Sequence, residues 1–178
     1  ITMSHFDSIE GEAMSIGERS PIAIFDAPAS GRVAITEALT NILSSGVEEI
    51  SKVKLSANWM ANSSDKKELL NLYQAVERLS HICRKSNIVI PVGKDSLSMK
   101  TKWSEDSNEF EVTSPLSGVV TAMAPVNDVS INATPELNIE EDTSMLLIKL
   151  NNKNRLAGSI FSEDTKSKYN NTPDIDLS

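Results

Sequence analysis

KVKLSANWM, residues 52–60, is the stretch on which the fold turns, because it alternates well enough in polarity to be a strand. A helical pattern flanks it on each side. Upstream, residues 29–43 place Val33, Ile35, Ala38, Leu39 and Ile42 along one stripe, and Gly46 follows as a stop. Downstream, Asp65 makes an N-cap for a helix over residues 66–85, with Leu69, Leu72, Val76, Leu79 and Ile82 on one side. NIVIPV, residues 87–92, comes next as a short apolar run of the kind that suits a buried strand, and it breaks into the polar GKDSLSMKT of residues 93–101.

Working outward, a polar stretch at 104–109 precedes FEVTSPLSGVVTAMAPV, residues 110–126, which reads as one more strand region. Residues 1–6 read as a strand end, entered part-way in an apolar, β-branched run without an initiator Met. Residues 11–21, GEAMSIGERSP, read as an irregular glycine-rich segment. The order strand, helix, strand, helix, strand, strand predicts an α/β or α+β domain with a mixed sheet. Residues 1–128 form that domain, and 129–143, rich in Asn, Asp, Glu and Pro, form a connector. SMLLIKL, residues 144–150, is expected to open a further incomplete α/β unit that runs to residue 178 as a buried strand followed by polar sequence.

Composition narrows the function. The net charge of −8 argues against a broad nucleic-acid face, which needs clustered Lys and Arg. No run approaches the roughly 20 apolar residues of a membrane helix. Cys83 is the single cysteine, so no internal disulfide forms and a reducing, cytoplasmic setting is expected. It falls on the apolar side of a helix and reads as a small core residue. His5 and His81 are too few and too scattered for zinc, so any bound metal should be a hard cation on oxygen ligands.

Three segments carry candidate chemistry. Glu37 and Asn41, four residues apart, stack on one helix face and suit either a magnesium ion or ordinary solvation. In residues 93–98, Gly93 permits close backbone approach, Lys94 neutralises phosphate, Asp95 accepts a hydrogen bond or holds a cation, and Ser96 and Ser98 supply hydroxyls. That is phosphate-site chemistry without the Walker A spacing, and it is equally the composition of a polar turn. The segment 11–21 borders a site, or is a connector in which Arg19 pairs with a nearby carboxylate. The scattered methionines read as core filling.

GEAMSIGERSP (11–21), EALTN (37–41), KLSANWM (54–60), IPVGKDSLSMKT (90–101) and TSPLSGVV (113–120), in this order, resemble phosphoribosylformylglycinamidine synthase, also called formylglycinamide ribonucleotide amidotransferase, in its long single-chain form. The resemblance runs to about residue 126 and continues more weakly through MLLIKL and NRLAGS. It implies the N-terminal subdomain of the second of two synthetase halves, each similar to aminoimidazole ribonucleotide synthetase. It further implies an ATP-dependent, glutamine-dependent ligase of purine biosynthesis, of which this piece is inactive alone. The expected partners are the first synthetase half, the C-terminal subdomain and a glutaminase domain. Paired N-terminal subdomains of the family share a barrel-like sheet. An open sheet edge or apolar patch, and artificial self-pairing, are therefore expected here.

By the same resemblance Glu37 and Asn41 fall on magnesium ligands, with a further Asp about two residues upstream of Ile1 and another acidic ligand downstream. Gly93, Lys94, Asp95 and Ser96 fall on residues that bind nucleotide phosphates, in the half that holds ATP or ADP with Mg²⁺ structurally. Other readings are a non-catalytic nucleotide-binding or assembly module, or another superfamily member such as aminoimidazole ribonucleotide synthetase or selenophosphate synthetase. Those two lack the pairing of GEAMSIGER with KLSANWM.

Overall fold

The structure, a computed structural model, describes residues 1–140, 142–149 and 154–175. Along the chain run β1 (Thr2–Met3), β2 (Gly11–Glu18), α1 (Ala27–Ile42), β3 (Lys54–Met60), α2 (Lys66–Lys85), β4 (Val89–Ser96), β5 (Lys100–Glu105), β6 (Asn108–Thr113), β7 (Ser117–Val126) and α3 (Ile160–Asp164). Both long helices start on an aspartate. Asp26 Oδ1 accepts the Ala29 N–H at 2.8 Å, and Asp65 Oδ1 accepts those of Lys67 and Glu68 at 2.8 and 3.3 Å. Gly46, at φ 69°, takes the left-handed conformation that ends the α1 region.

The fold is mixed α+β. Five strands form one sheet in the order β1-β2-β7-β3-β4, with β3 and β4 parallel and the other neighbours antiparallel. Both long helices pack on one face, where Ala13, Leu55, Trp59, Val120, Ala122 and Ala124 meet Ile35, Ala38, Leu79 and Ile82. Among the described residues no helix covers the opposite face: Met14 and Ile16 are each 60% exposed and Val92 is 55% exposed. Glu68 Oε2 accepts the Leu116 N–H at 2.6 Å and ties α2 to the start of β7.

Several expectations change. Residues 11–18 are not irregular but a full strand. Its inward positions are Gly11, Ala13, Ser15 and Gly17, all small: a Cβ at Gly17 would collide with the Ala34 carbonyl of α1, and one at Gly11 with the Thr2 carbonyl and the Val129 side chain. The large residues Met14 and Ile16 point to the open face, so the usual signal is inverted. Residues 89–96 form a strand as expected, but an edge strand and largely exposed; GKDS continues it rather than breaking it. Residues 110–126 hold the end of β6 and the whole of β7, which belong to different sheets. β6 pairs with the unanticipated β5 as a separate hairpin, with Trp103 and Phe110 stacked at 5.3 Å between ring centroids.

In α2 the buried set is Ala75, Leu79, Ile82 and Cys83, while Leu69 and Val76 are 47% and 40% exposed, Val76 beside the groove that β4 lines. The expected strand at 144–150 is absent over its described residues, where Met145, Leu146, Leu147 and Ile148 are exposed; Leu150 lies outside the described residues. Beyond it, Ala157 is fully buried and Gly158, at φ 74°, packs on the backbone of Pro21 and Ile22. Asp174 bonds Arg32 of α1 through both oxygens at 2.7 Å, with Arg155 at 3.8 Å. Burial pushes the Asp174 carboxyl up, but the Arg32 hydrogen bonds, the Ile175 N–H and the two arginine charges outweigh it and hold it below the usual carboxylate range.

Candidate functional site

β1 pairs with β2 at Thr2–Glu12 and Met3–Gly11, and among the described residues no strand lies beside the outer edge of β2 from there to Glu18. Helix α1 runs along this edge and closes it with side chains. Glu37 Oε2 accepts the Glu18 N–H at 2.9 Å, and the Asn41 amide donates to the Ile16 carbonyl at 3.1 Å. One turn of helix and two residues of strand match in length, so the i, i+4 pair reads alternate backbone groups of β2. Ser15 Oγ donates to the Ala38 carbonyl between them at 2.6 Å.

The other Glu37 oxygen faces Arg19, with Nη2 at 3.2 Å. Arg19 is itself fixed, because its carbonyl accepts the Ser30 hydroxyl at 2.8 Å. Of the two readings of the 11–21 segment, its last residues take the form in which Arg19 pairs with a carboxylate. The sequence could name Arg19 but not its partner, since eighteen positions separate it from Glu37.

Gly93, Lys94, Asp95 and Ser96 lie at the far edge of the sheet and divide between its faces. Gly93 and Asp95 point toward α2, where they line a cavity of about 570 Å³ with Trp59, Leu79 and Cys83. A Cβ at Gly93 would strike the Ala57 carbonyl, so close strand packing alone explains this glycine. Lys94 and Ser96 lie on the open face, opposite Asn58 and Met60 of β3, and Lys94 Nζ donates to Ser96 Oγ at 2.8 Å. Ser98 continues into a bridge with Asn62.

The structure thus brings Glu37 and Asn41 together, and Lys94 and Ser96 together, but not the two groups. β7 and β3 stand between β2 and β4, a separation of roughly 14 Å at ordinary strand spacing. One phosphate group does not span it. Cys83 is buried, and burial pushes its thiol up, the opposite of what a nucleophile requires.

For a metal, the donor chemistry at α1 is suitable but partial. With the Asn41 NH₂ spent on Ile16, its carbonyl oxygen is the atom left to coordinate, and Glu37 supplies carboxylate: two hard oxygens on one helix face. Among the described residues, no group of three or more His, Cys, Asp or Glu side chains is placed to hold a cation. The pair fits part of a magnesium shell and not the whole of one.

The profile of the FGAR-AT PurM_N-like domain family matches residues 1–125. The chain belongs to that family. The FGAR-AT PurM_N-like fold is also seen in solved structures from Thermotoga maritima. The structure of PurLQS aligns at a TM-score of 0.54 and 19% identity, over 71% of this chain and 19% of that one. PurL complexed with ATP aligns at 0.53 and 19%, over 74% and 20%. Phosphoribosylformylglycinamidine synthase II aligns at 0.53 and 18%, over 74% and 20%. These likenesses establish the fold. The chain spans about a fifth of the length of those structures, covering 19–20% of them.

Proposed function

We propose that this chain is the N-terminal subdomain of the second synthetase half of phosphoribosylformylglycinamidine synthase, and that it serves the parent ligase as a structural nucleotide–magnesium site. The parent reaction joins an amide nitrogen from glutamine to formylglycinamide ribonucleotide at the expense of ATP, in purine biosynthesis and in the cytoplasm. The observation that carries the reading is the match over residues 1–125 to the FGAR-AT PurM_N-like domain family; the metal role of Glu37 and Asn41 is proposed from the resemblance of the EALTN segment. Both lie at one strand edge with hard oxygens.

The register of β1 supports the same corner. Thr2 faces Glu12 and Met3 faces Gly11, so residues preceding Ile1 in a longer chain would run toward Ile16 and Glu18. The Asp implied about two residues upstream would come opposite the Ser15–Ile16 step, beside Asn41. A second acidic ligand from the following subdomain would complete the shell. Magnesium bound there offsets phosphate charge. Glu37 and Asn41 orient it because each is held by a backbone group of β2 rather than by solvent.

Lys94 and Ser96 are assigned a different contact, an anionic group over the open sheet face, because of their distance from Glu37. Met14, Ile16 and Val92 on that same face suit the partner half of a shared barrel. On this reading the isolated chain holds only two of the ligands and no partner half, and is inactive.

The second reading, an assembly module without nucleotide, predicts a different response in the complete enzyme. Under the structural-site proposal, Glu37→Gln lowers the melting temperature gained from added ADP and Mg²⁺ while the catalytic rate per folded molecule is kept. Loss of turnover at unchanged melting behaviour would place Glu37 in a catalytic site instead. Retention of the full ADP–Mg²⁺ effect would favour the assembly module.

A further inference from the structure

The cation already at Glu37 is an arginine, and its arrangement is that of a stand-in. Glu37 uses one oxygen for the Glu18 N–H, a contact that needs no movement when a metal arrives. The other oxygen is the one Arg19 holds, at 3.2 Å. A divalent ion bound through that oxygen and the Asn41 carbonyl takes the place of the guanidinium, since two cations on one carboxylate oxygen repel and both require its lone pairs. Arg19 can leave: its side chain is 47% exposed against 29% for Glu37. Only its backbone is pinned, through the Ser30 hydroxyl, so release needs rotamer changes and no shift of the strand.

We infer that Arg19 is a competing counter-ion for the Glu37 carboxylate, which holds the ligand in place while the metal is absent and sets how tightly a divalent cation is bound. The inference rests on the proposed metal role of Glu37 and adds a residue to it. Arg19 keeps the carboxylate from turning away at low cation concentration, and the energy of its ion pair must be recovered from the incoming ion. The effect is modest because the pair is partly exposed.

The test is Mn²⁺ binding to the parent protein with ADP present, followed by electron paramagnetic resonance. Glu37→Gln identifies the class of sites that belongs to this corner, as the class it removes. Arg19→Gln should tighten that class by about two- to fivefold, the range expected for a half-exposed ion pair. Arg19→Lys, which keeps the charge, should stay near wild type. In EDTA, Arg19→Gln should melt earlier than wild type, and saturating Mn²⁺ should abolish the difference. An unchanged or weakened Mn²⁺ class in Arg19→Gln, with Glu37→Gln still removing it, would overturn the competitor role and leave the metal site standing. If Glu37→Gln removes no class at all, the metal site and the inference built on it both fall.

Discussion

Glu37 accepts the backbone N–H of Glu18 at 2.9 Å, so a carboxylate of α1 occupies the strand edge that β1 leaves uncovered. The contact does structural work whether or not a metal is present, and this separates two substitutions. Glu37→Ala strands the Glu18 N–H and frees Arg19, and should cost about 1–2 kcal/mol of stability in EDTA. Glu37→Gln keeps an acceptor for the N–H, and its cost should be below about 1 kcal/mol. Urea unfolding of the two variants beside wild type gives the comparison; equal costs would mean that the carbonyl acceptor is not what matters.

Asp174 clamps the 154–175 segment to α1 through Arg32. Because its carboxyl is held below the usual range in the folded state, the contribution is present above the unfolded pKa, near 3.8, and is lost as pH falls through the lower folded value. Asp174→Asn should cost about 1 kcal/mol at pH 7, discounted for the partial exposure of the pair. The gap between variant and wild type should close on acidification below about pH 4. A gap that stays constant down to pH 2 would show that shape, not charge, does the holding.

Cys83 lies on α2's buried face and its thiol is pushed up by burial. Native protein at pH 8 should react with a thiol reagent only as fast as it opens, roughly 100-fold or more slower than in urea. Rapid native labelling would require the groove between α2 and β4 to be open.

The two faces of β2 should respond in opposite ways. Gly17→Ala forces a methyl into the Ala34 carbonyl and should cost about 3 kcal/mol or more, enough to prevent folding. Ile16→Ser, on the open face, should change the stability of this chain by less than about 0.5 kcal/mol. In the parent enzyme the same change should be costly if a partner half covers it. Circular dichroism melts of both forms would show this.

The same strand explains why part of the fold was legible and part was not. α2 could be read to the residue, Lys66–Lys85, because Asp65 caps it and its stripe is amphipathic. β2 could not, because crowding by α1 reduces its inner face to Gly, Ala and Ser. The β5–β6 hairpin was hidden for a different reason. Its turn places Asp106 and Ser107 at φ 48° and 66° without a glycine to announce it. The apolar run at 144–150 carries a strand pattern, but among the described residues 144–149 pair with no strand. At the site, helical spacing was enough to put Glu37 and Asn41 on one face. That this face meets the bare edge of β2 depends on β1 pairing no further along β2 than Glu12, and that GKDS sits three strands away depends on sheet order, which is long-range information.

The most direct test of the account is isothermal titration of ADP with Mg²⁺ into this chain and into a form extended at both ends to complete the half. The account predicts magnesium-dependent binding by the extended form, weakened at least tenfold by Glu37→Gln, and little or none by the chain alone, where only two ligands are in place. Binding by the extended form that Glu37→Gln leaves unchanged, or binding by neither form, would contradict a nucleotide–magnesium site at this corner.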